Sequence, residues 1–145
     1  MQTNSLEQKF LNFINDNNLH TISALNKKKY FLPYKSDKKN IRVFIYATIV
    51  EEINTLKIGF RAALLNKNES ENVLATLLDL NSRLTTGALA LEKDSDIVEY
   101  TINYTVEEEE TIELDRYERI ISYCINLFYD LYDRKIIERE NKINE

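Results

Sequence analysis

Cys124 and His20 are the residues in this chain that could act as a nucleophile and a general base. Neither residue has a catalytic partner close to it in the sequence. Cys124 lies on the apolar stripe of a predicted helix, so we expect a buried thiol that packs as a small hydrophobe. We expect His20 to be a loop residue. Because there is only one cysteine, an intramolecular disulfide and a cysteine-based zinc site are both excluded.

Four consecutive carboxylates, Glu107–Glu110, could suggest a metal site. Neighbouring carboxylates point in divergent directions, and calcium loops need spaced ligands with a glycine turn. The favoured interpretation is a solvated loop that brings negative charge to the start of the following helix. With only two glycines the chain has no phosphate-binding loop, and it has no HExxH or GxSxG motif. We therefore predict no catalytic, cofactor or metal site, and no enzyme activity. An unrecognised carboxylate pair in a deep pocket is the alternative.

The segment Lys27–Arg42 is strongly basic. It holds seven basic residues against one aspartate, a formal charge of +6, and the remainder carries −11 because the whole chain carries −5. Such a segment could bind phosphate backbones, with Tyr30, Phe31 and Tyr34 as stacking residues. It could also bind an acidic protein partner. The favoured interpretation is an edge hairpin whose lysines prevent edge-to-edge association.

Periodicity predicts eight elements in the order α-β-β-β-α-β-β-α, an α+β fold with an antiparallel five-stranded sheet. The predicted helices are Ser5–Asn15, Asn68–Leu84 and Thr111–Glu138, and the predicted strands are Lys28–Tyr34, Ile41–Glu51, Thr55–Leu65, Ala88–Glu92 and Ile97–Val106. Residues 1–145 are predicted to form a single domain, with an ordered core over Ser5–Glu138 and a short polar C-terminal tail that frays.

Several elements carry more detailed expectations. Pro33 predicts an edge strand, because proline cannot donate to a ladder. The next strand has apolar residues on both faces, which indicates a central position with each side at least partly covered. The last strand alternates strictly, which predicts one packed and one wet face. The packed residues should be Val98, Tyr100, Ile102, Tyr104 and Val106.

The helices are predicted from caps and stripes. Capping boxes are expected at Ser5 with Gln8 and at Asn68 with Glu71. The stripe of the second helix is Val73, Leu74, Leu77, Leu78 and Leu84, with Asn81 on the same side. The stripe of the last helix is Leu114, Tyr117, Ile120, Ile121, Cys124, Phe128, Leu131 and Tyr132, and a second set widens it: Ile125, Leu127, Tyr129, Ile136 and Ile137. That width exceeds what one sheet needs and favours a homodimer.

The helix–hairpin–helix section carries a family resemblance. A helix that ends in Leu80-Asn81 is followed by Gly87, Leu89 and Leu91, then by an alternating strand and an apolar helix with an acidic entry. Over about residues 28–138 this pattern resembles the YbjN-like group, which has the type III secretion chaperone-like fold. The acidic run, the lysine-rich first hairpin and the scarcity of glycine depart from that pattern. The resemblance implies a small domain, commonly a homodimer, that binds protein segments on its sheet and helix surfaces, and it brings no catalytic residues.

From these observations we expect a non-enzymatic protein-binding or chaperone-like module that forms a homodimer and binds a protein client. The alternative is a nucleic-acid or anionic-ligand binder that uses Lys27–Arg42. The N-terminus lacks a basic region followed by an apolar run, and no apolar segment approaches the roughly 20 residues of a membrane helix. We therefore expect a cytoplasmic protein without membrane contact.

Overall fold

The computed structural model describes residues 4–23, 28–35, 40–92 and 94–141. In chain order the elements are α1 (Leu6–Asp16), β1 (Ile22–Ser23), β2 (Lys29–Lys35), β3 (Arg42–Val50), β4 (Thr55–Ala63), α2 (Ser70–Asn81), β5 (Ala88–Glu92), β6 (Ile97–Thr105) and α3 (Leu114–Asp133). Short 3-10 turns at Glu51–Ile53 and Lys67–Glu69 precede β4 and α2.

The strands form one sheet in the order β1-β2-β3-β4-β6-β5, and each neighbouring pair is antiparallel. The predicted α+β class and antiparallel sheet are confirmed. The strand count differs, since the described residues contain six strands rather than five. The additional strand is β1, whose two residues pair with Phe31 and Tyr30. Two residues are too few for an alternation to be recognised in a sequence.

Pro33 lies on a strand that has a neighbour on both sides, yet its own position is at an open edge. The Ile49 N–H donates to the Lys28 carbonyl. Along an antiparallel ladder, hydrogen-bonded residue pairs alternate with non-hydrogen-bonded pairs. The pair of Pro33 with Phe44, five residues on, is therefore a non-hydrogen-bonded one. Its nitrogen points to the outer side of β2, where β1 has already ended. The edge prediction thus holds locally, although β2 itself is not the outermost strand.

One face of the sheet carries the hydrophobic core. The buried side chains of all three helices belong to one cluster with the inward residues of β2, β3, β4, β5 and β6. The alternation predicted for β6 is confirmed: Val98, Tyr100, Ile102, Tyr104 and Val106 are all buried. The opposite face of the sheet, which we call the open face, receives no helix from the described residues.

A carboxylate in the turn between β3 and β4 anchors α1. Ser5 is the N-cap and its hydroxyl accepts from the backbone N–H of Gln8, as predicted. The Gln8 side chain donates to Asn12 instead of completing the capping box. The two oxygens of Glu51 accept from the backbone N–H groups of Leu6 and Glu7 at 2.8 and 3.2 Å. Glu51 thus supplies negative charge at the positive end of the helix dipole.

The predictions for α2 were partly wrong. The helix begins at Ser70, and its N-cap is Glu69 without a side-chain hydrogen bond, so the predicted N-cap at Asn68 is wrong. Leu78 is 62% exposed, whereas Leu80 is buried with Val73 and Leu77. The reason is that α2 packs mainly on the edge strand β5, which needs only a narrow stripe.

The last helix is shorter than predicted, ending at Asp133. Lys135 has φ 60°, and the backbone N–H groups of Lys135 and Ile136 donate to the carbonyls of Tyr132 and Leu131. These two hydrogen bonds form a Schellman motif, which stops the helix. Ile136 and Ile137 are consequently buried in an extended segment instead of widening the helix. They no longer support the argument that apolar width requires a second subunit.

Candidate functional site

The candidate site lies on the open face, where β3 and β4 separate. Their ladder runs from Val50–Thr55 only as far as Tyr46–Gly59. The chain turns at Lys135 and enters this gap as residues 136–141, here called the C-terminal segment. Leu64 and Ile137 form an antiparallel bridge, the Leu65 N–H donates to the Ile136 carbonyl, and the Glu138 N–H donates to the Ala63 carbonyl.

Asn141 completes the junction on the other side. Its amide oxygen accepts from the Phe44 N–H at 2.8 Å, and its amide nitrogen donates to the Phe44 carbonyl at 2.7 Å. The side chain therefore gives Phe44 the two bonds that a neighbouring strand would give. Asn141 is only 4% exposed. The prediction that the polar tail frays is wrong as far as Asn141; residues 142–145 lie outside the described part of the chain.

A cavity of about 220 Å³ opens beside this junction. Its floor is aromatic: Phe31 and Tyr46 are buried in a small cluster separate from the main core, and Phe44 packs against them. The Lys29 ammonium lies over this floor, 4.7 Å from the ring centroid of Tyr46 and 5.4 Å from that of Phe31. The cavity is smaller than the roughly 300–1,000 Å³ of typical small-molecule sites, so it suits a single side chain.

The Tyr46 side chain is held in place at the cavity. Its hydroxyl lies 3.1 Å from the Thr101 hydroxyl on β6. Burial raises the pKa of Tyr46 to about 12. The phenol is therefore neutral at physiological pH, and it contributes an aromatic surface instead of a charge.

Arg61 forms the polar wall of the cavity. Its Nη2 atom lies 2.8 Å from Glu92 Oε2, and its buried Nε atom lies 3.3 Å from Glu99 Oε2, within ion-pair distance but without hydrogen-bond alignment. Two carboxylates thus neutralise one guanidinium. Glu138 and Glu140 border the cavity from the C-terminal segment, and both are exposed.

The residues first considered for chemistry do not meet at this site. Cys124 is fully buried in the core, and burial raises the pKa of its thiol to about 12, so the thiolate is absent at neutral pH. His20 is exposed and lies near Pro33 and Arg42 on the outer side of β2. The prediction that Cys124 packs as a small hydrophobe is confirmed.

The acidic run Glu107–Glu110 forms an exposed loop before α3. The Lys9 ammonium donates to the backbone carbonyls of Glu107, Glu108 and Glu110 at 3.2, 2.7 and 2.8 Å. The loop thus binds a cation of its own chain through backbone oxygens, and the Glu110 carboxylate accepts from the Glu107 backbone N–H at 3.1 Å. Within the described part of the chain, no three His, Cys, Asp or Glu side chains come together in a way that could hold a metal ion.

Three of the four described basic side chains of the segment, Lys29, Lys35 and Arg42, are at strand positions of the open face, where Lys35 and Arg42 form a cross-strand pair. Lys28 pairs with Glu51 at 3.2 Å, whereas Lys29 lies over the aromatic floor of the cavity. Lys27, Asp37, Lys38 and Lys39 lie outside the described residues.

The three aromatic residues suggested for stacking are also divided between the two faces. Phe31 faces the open side, and Tyr30 and Tyr34 pack against the core. The Tyr30 hydroxyl donates to Glu7 at 2.8 Å. These three rings therefore cannot form the continuous stacking surface that a nucleic-acid strand would need.

Sequence reasoning missed the two features that define the site. The apolar residues on both faces of β3 were a usable signal for the aromatic floor, because Phe44 and Tyr46 alternate with core residues. Nothing local could have pointed to Asn141, which lies 97 residues from Phe44 in sequence. Across the residues that the structure describes, no helix is long and apolar enough to cross a membrane.

Comparisons with known proteins identify the fold. No protein-family model matches the chain, and a search of curated proteins finds no significant match. Among solved structures the chain is similar to the crystal structure of YbjN, described as a putative transcription regulator from E. coli, with a TM-score of 0.70 and 10% sequence identity. The match covers 92% of this chain and 95% of that one. At this identity the similarity concerns architecture, and the chain has the YbjN-like fold.

Proposed function

We propose that the chain is a non-enzymatic, chaperone-like protein-binding module whose docking surface is the open face. The observation that carries this proposal is the aromatic floor of Phe31, Phe44 and Tyr46 on a sheet face that no described helix covers. Aromatic residues that border a cavity on an otherwise polar surface are typical of anchor points for a partner.

The proposed occupant is an extended segment of a partner protein. The C-terminal segment supports this choice, since an extended chain already pairs with β4 next to the cavity. A second extended segment would cross the exposed polar positions of β4 and β6, whose side chains alternate with the core residues. Side-chain contacts across the open face would then supply affinity, and the cavity would supply specificity.

Site-specific photo-crosslinking tests the proposal. A benzophenone amino acid replaces Thr48, which is on the open face, or Ser122, which is an exposed residue of α3 and serves as the matched control. We expect a discrete protein adduct in the cell of origin from position 48 and none from position 122. No adduct from position 48, or equal labelling from both positions, would contradict the docking surface.

The homodimer is a separate part of the proposal and rests on the family resemblance. Sedimentation equilibrium at rising protein concentration tests it. We expect a dimer mass at micromolar concentration. A strict monomer at the highest soluble concentration would remove the dimer and leave the open-face proposal intact.

A second candidate function is nucleic-acid binding through Lys27–Arg42, favoured by the charge of that segment and by the description of YbjN as a regulator. Fluorescence anisotropy with a labelled DNA duplex at low and moderate salt tests it. Binding that decreases steeply with salt, and that reversal of Lys28, Lys29, Lys38 and Lys39 abolishes, would support this function. Absence of binding at low salt would exclude it.

A further inference from the structure

The charges around the cavity favour a cationic ligand. Lys29 and Arg61 line it, as do the exposed carboxylates of Glu138 and Glu140. Arg61 is already paired with two further carboxylates, Glu92 and Glu99. These six side chains carry a formal net charge of −2. The field at the mouth of the cavity, on the side of these carboxylates, therefore attracts a cation.

The aromatic floor also favours a cationic ligand. The face of an aromatic ring carries negative electrostatic potential, so it attracts cations and repels anions. The position of Lys29 over Tyr46 and Phe31 is an internal example, because an ammonium group already packs on these rings. Phe44 extends the same floor. A planar guanidinium can stack on such a surface while its edge donates hydrogen bonds to carboxylates.

We propose that this cavity binds one arginine side chain from the extended partner segment, with its guanidinium stacked on Phe44 and paired with Glu138 and Glu140. This inference rests on the proposed function, whose partner it specifies. The size of the cavity fits one side chain. The cavity lies beside the C-terminal segment, so the bound arginine would be close to the backbone along which the partner segment would run.

The probe is N-acetyl-L-arginine N-methylamide, added to the full-length ¹⁵N-labelled protein at moderate salt. The glutamate compound of the same design is the matched control. We expect saturable shifts of the Phe44 and Tyr46 backbone amides and of the Asn141 side-chain amide, with a dissociation constant in the millimolar range typical of a single group. Equal or tighter binding of the glutamate compound, or no saturable shift with the arginine compound, would overturn the proposal.

Two sets of variants separate a specific contact from general charge. The double variant E138Q/E140Q should weaken arginine binding at least about threefold, since each carboxylate contributes an exposed ion pair. The double variant E71Q/E118Q makes the same change of net charge on the exposed surfaces of α2 and α3. It should leave the affinity within about twofold, because screening limits its reach at moderate salt. Equal effects of the two double variants would overturn the assignment.

Lys29→Met gives the sharpest result, because it should raise the affinity for a cationic ligand and lower the affinity for an anionic one. Removing the resident ammonium relieves like-charge repulsion and uncovers part of Tyr46, so arginine should bind at least about twofold tighter. A cavity that binds anions would lose affinity for the glutamate compound instead. Failure of arginine binding together with crosslinking at position 48 would remove this inference alone. Arginine binding without a crosslinked protein would remove the proposed function and the partner segment with it, and would leave only the preference of the cavity for a guanidinium.

Discussion

Replacing Asn141 by alanine tests whether the C-terminal segment is held by a side chain that imitates a strand. The substitution removes both hydrogen bonds to Phe44, at 2.8 and 2.7 Å. Each such bond contributes about 1 kcal/mol net, and a polar group left without a partner costs about 1–3 kcal/mol. Water in the neighbouring cavity can hydrate Phe44, which favours the lower values. We therefore expect a loss of about 2 kcal/mol in the free energy of unfolding.

The assay is urea denaturation followed by far-ultraviolet circular dichroism and by tyrosine fluorescence, since the chain has no tryptophan. The midpoint should fall at an unchanged slope. For a chain of this size, a loss of about 2 kcal/mol lowers the melting temperature by about 4–8 °C. Asn103→Ala, which changes an exposed asparagine on β6, is the control and should stay within about 0.5 kcal/mol of the parent.

Hydrogen exchange gives the local readout. The N–H groups of Leu65 and Glu138 bond to Ile136 and Ala63, so they should exchange faster in Asn141→Ala. Asn141→Asp keeps the acceptor but sets a carboxylate oxygen against the Phe44 carbonyl, and it should be no more stable than the alanine variant at pH 7. An Asn141→Ala variant that stays within about 0.5 kcal/mol of the parent, or that loses stability with the Leu65 and Glu138 exchange rates unchanged, would contradict this role of Asn141.

Three further substitutions test the fold. Gly59→Ala should cost at least about 3 kcal/mol or prevent folding, as judged by urea denaturation, because a β-carbon there would lie 1.8 Å from the Tyr100 carbonyl oxygen. Lys135→Gly should stabilise by about 0.5–1 kcal/mol, since glycine removes left-handed strain at φ 60°, and an unchanged or lower melting temperature would contradict this. Glu51→Gln should destabilise by about 1–2 kcal/mol at pH 7. Partial burial opposes ionisation of Glu51, but hydrogen bonds from the α1 amides and Lys28 hold its pKa below the usual value. The carboxylate therefore stabilises the fold above the unfolded pKa, and the difference between parent and variant should narrow as the pH falls through the folded pKa, which a pH series of melting temperatures measures.

The parts of the fold that could be predicted are those where burial is one-sided. In β4 and β6 the alternate residues face either the core or the open face, so the pattern directly encodes the sheet. The prediction for β5 matches both ends of the strand, because Gly87 and the polar turn delimit it. These signals come from residues that are close together in the chain, and a single sequence shows only such signals.

The errors arise where long-range contacts determine local structure. Lys135 adopts a left-handed conformation that lysine does not favour, and Ile136 and Ile137 continue the helical phase, so no residue marks the end of α3. Leu78 fits the stripe of α2 but faces solvent, because the helix packs on a strand edge instead of a broad face. Both outcomes depend on partners distant in sequence.

Asparagine side chains protect the sheet at two positions where its ladder is open. Asn141 bonds to both backbone groups of Phe44, and Asn81 does the same for Leu89 on the outer edge of β5, at 2.7 and 2.9 Å. Each amide satisfies peptide groups that could otherwise pair with another chain. The open face is different, because its aromatic residues at Phe31, Phe44 and Tyr46 are separate from the main core. Phe31 and Tyr46 are buried, whereas Phe44 is partly exposed, so Phe44 is the ring that a partner segment of the proposed kind would contact first.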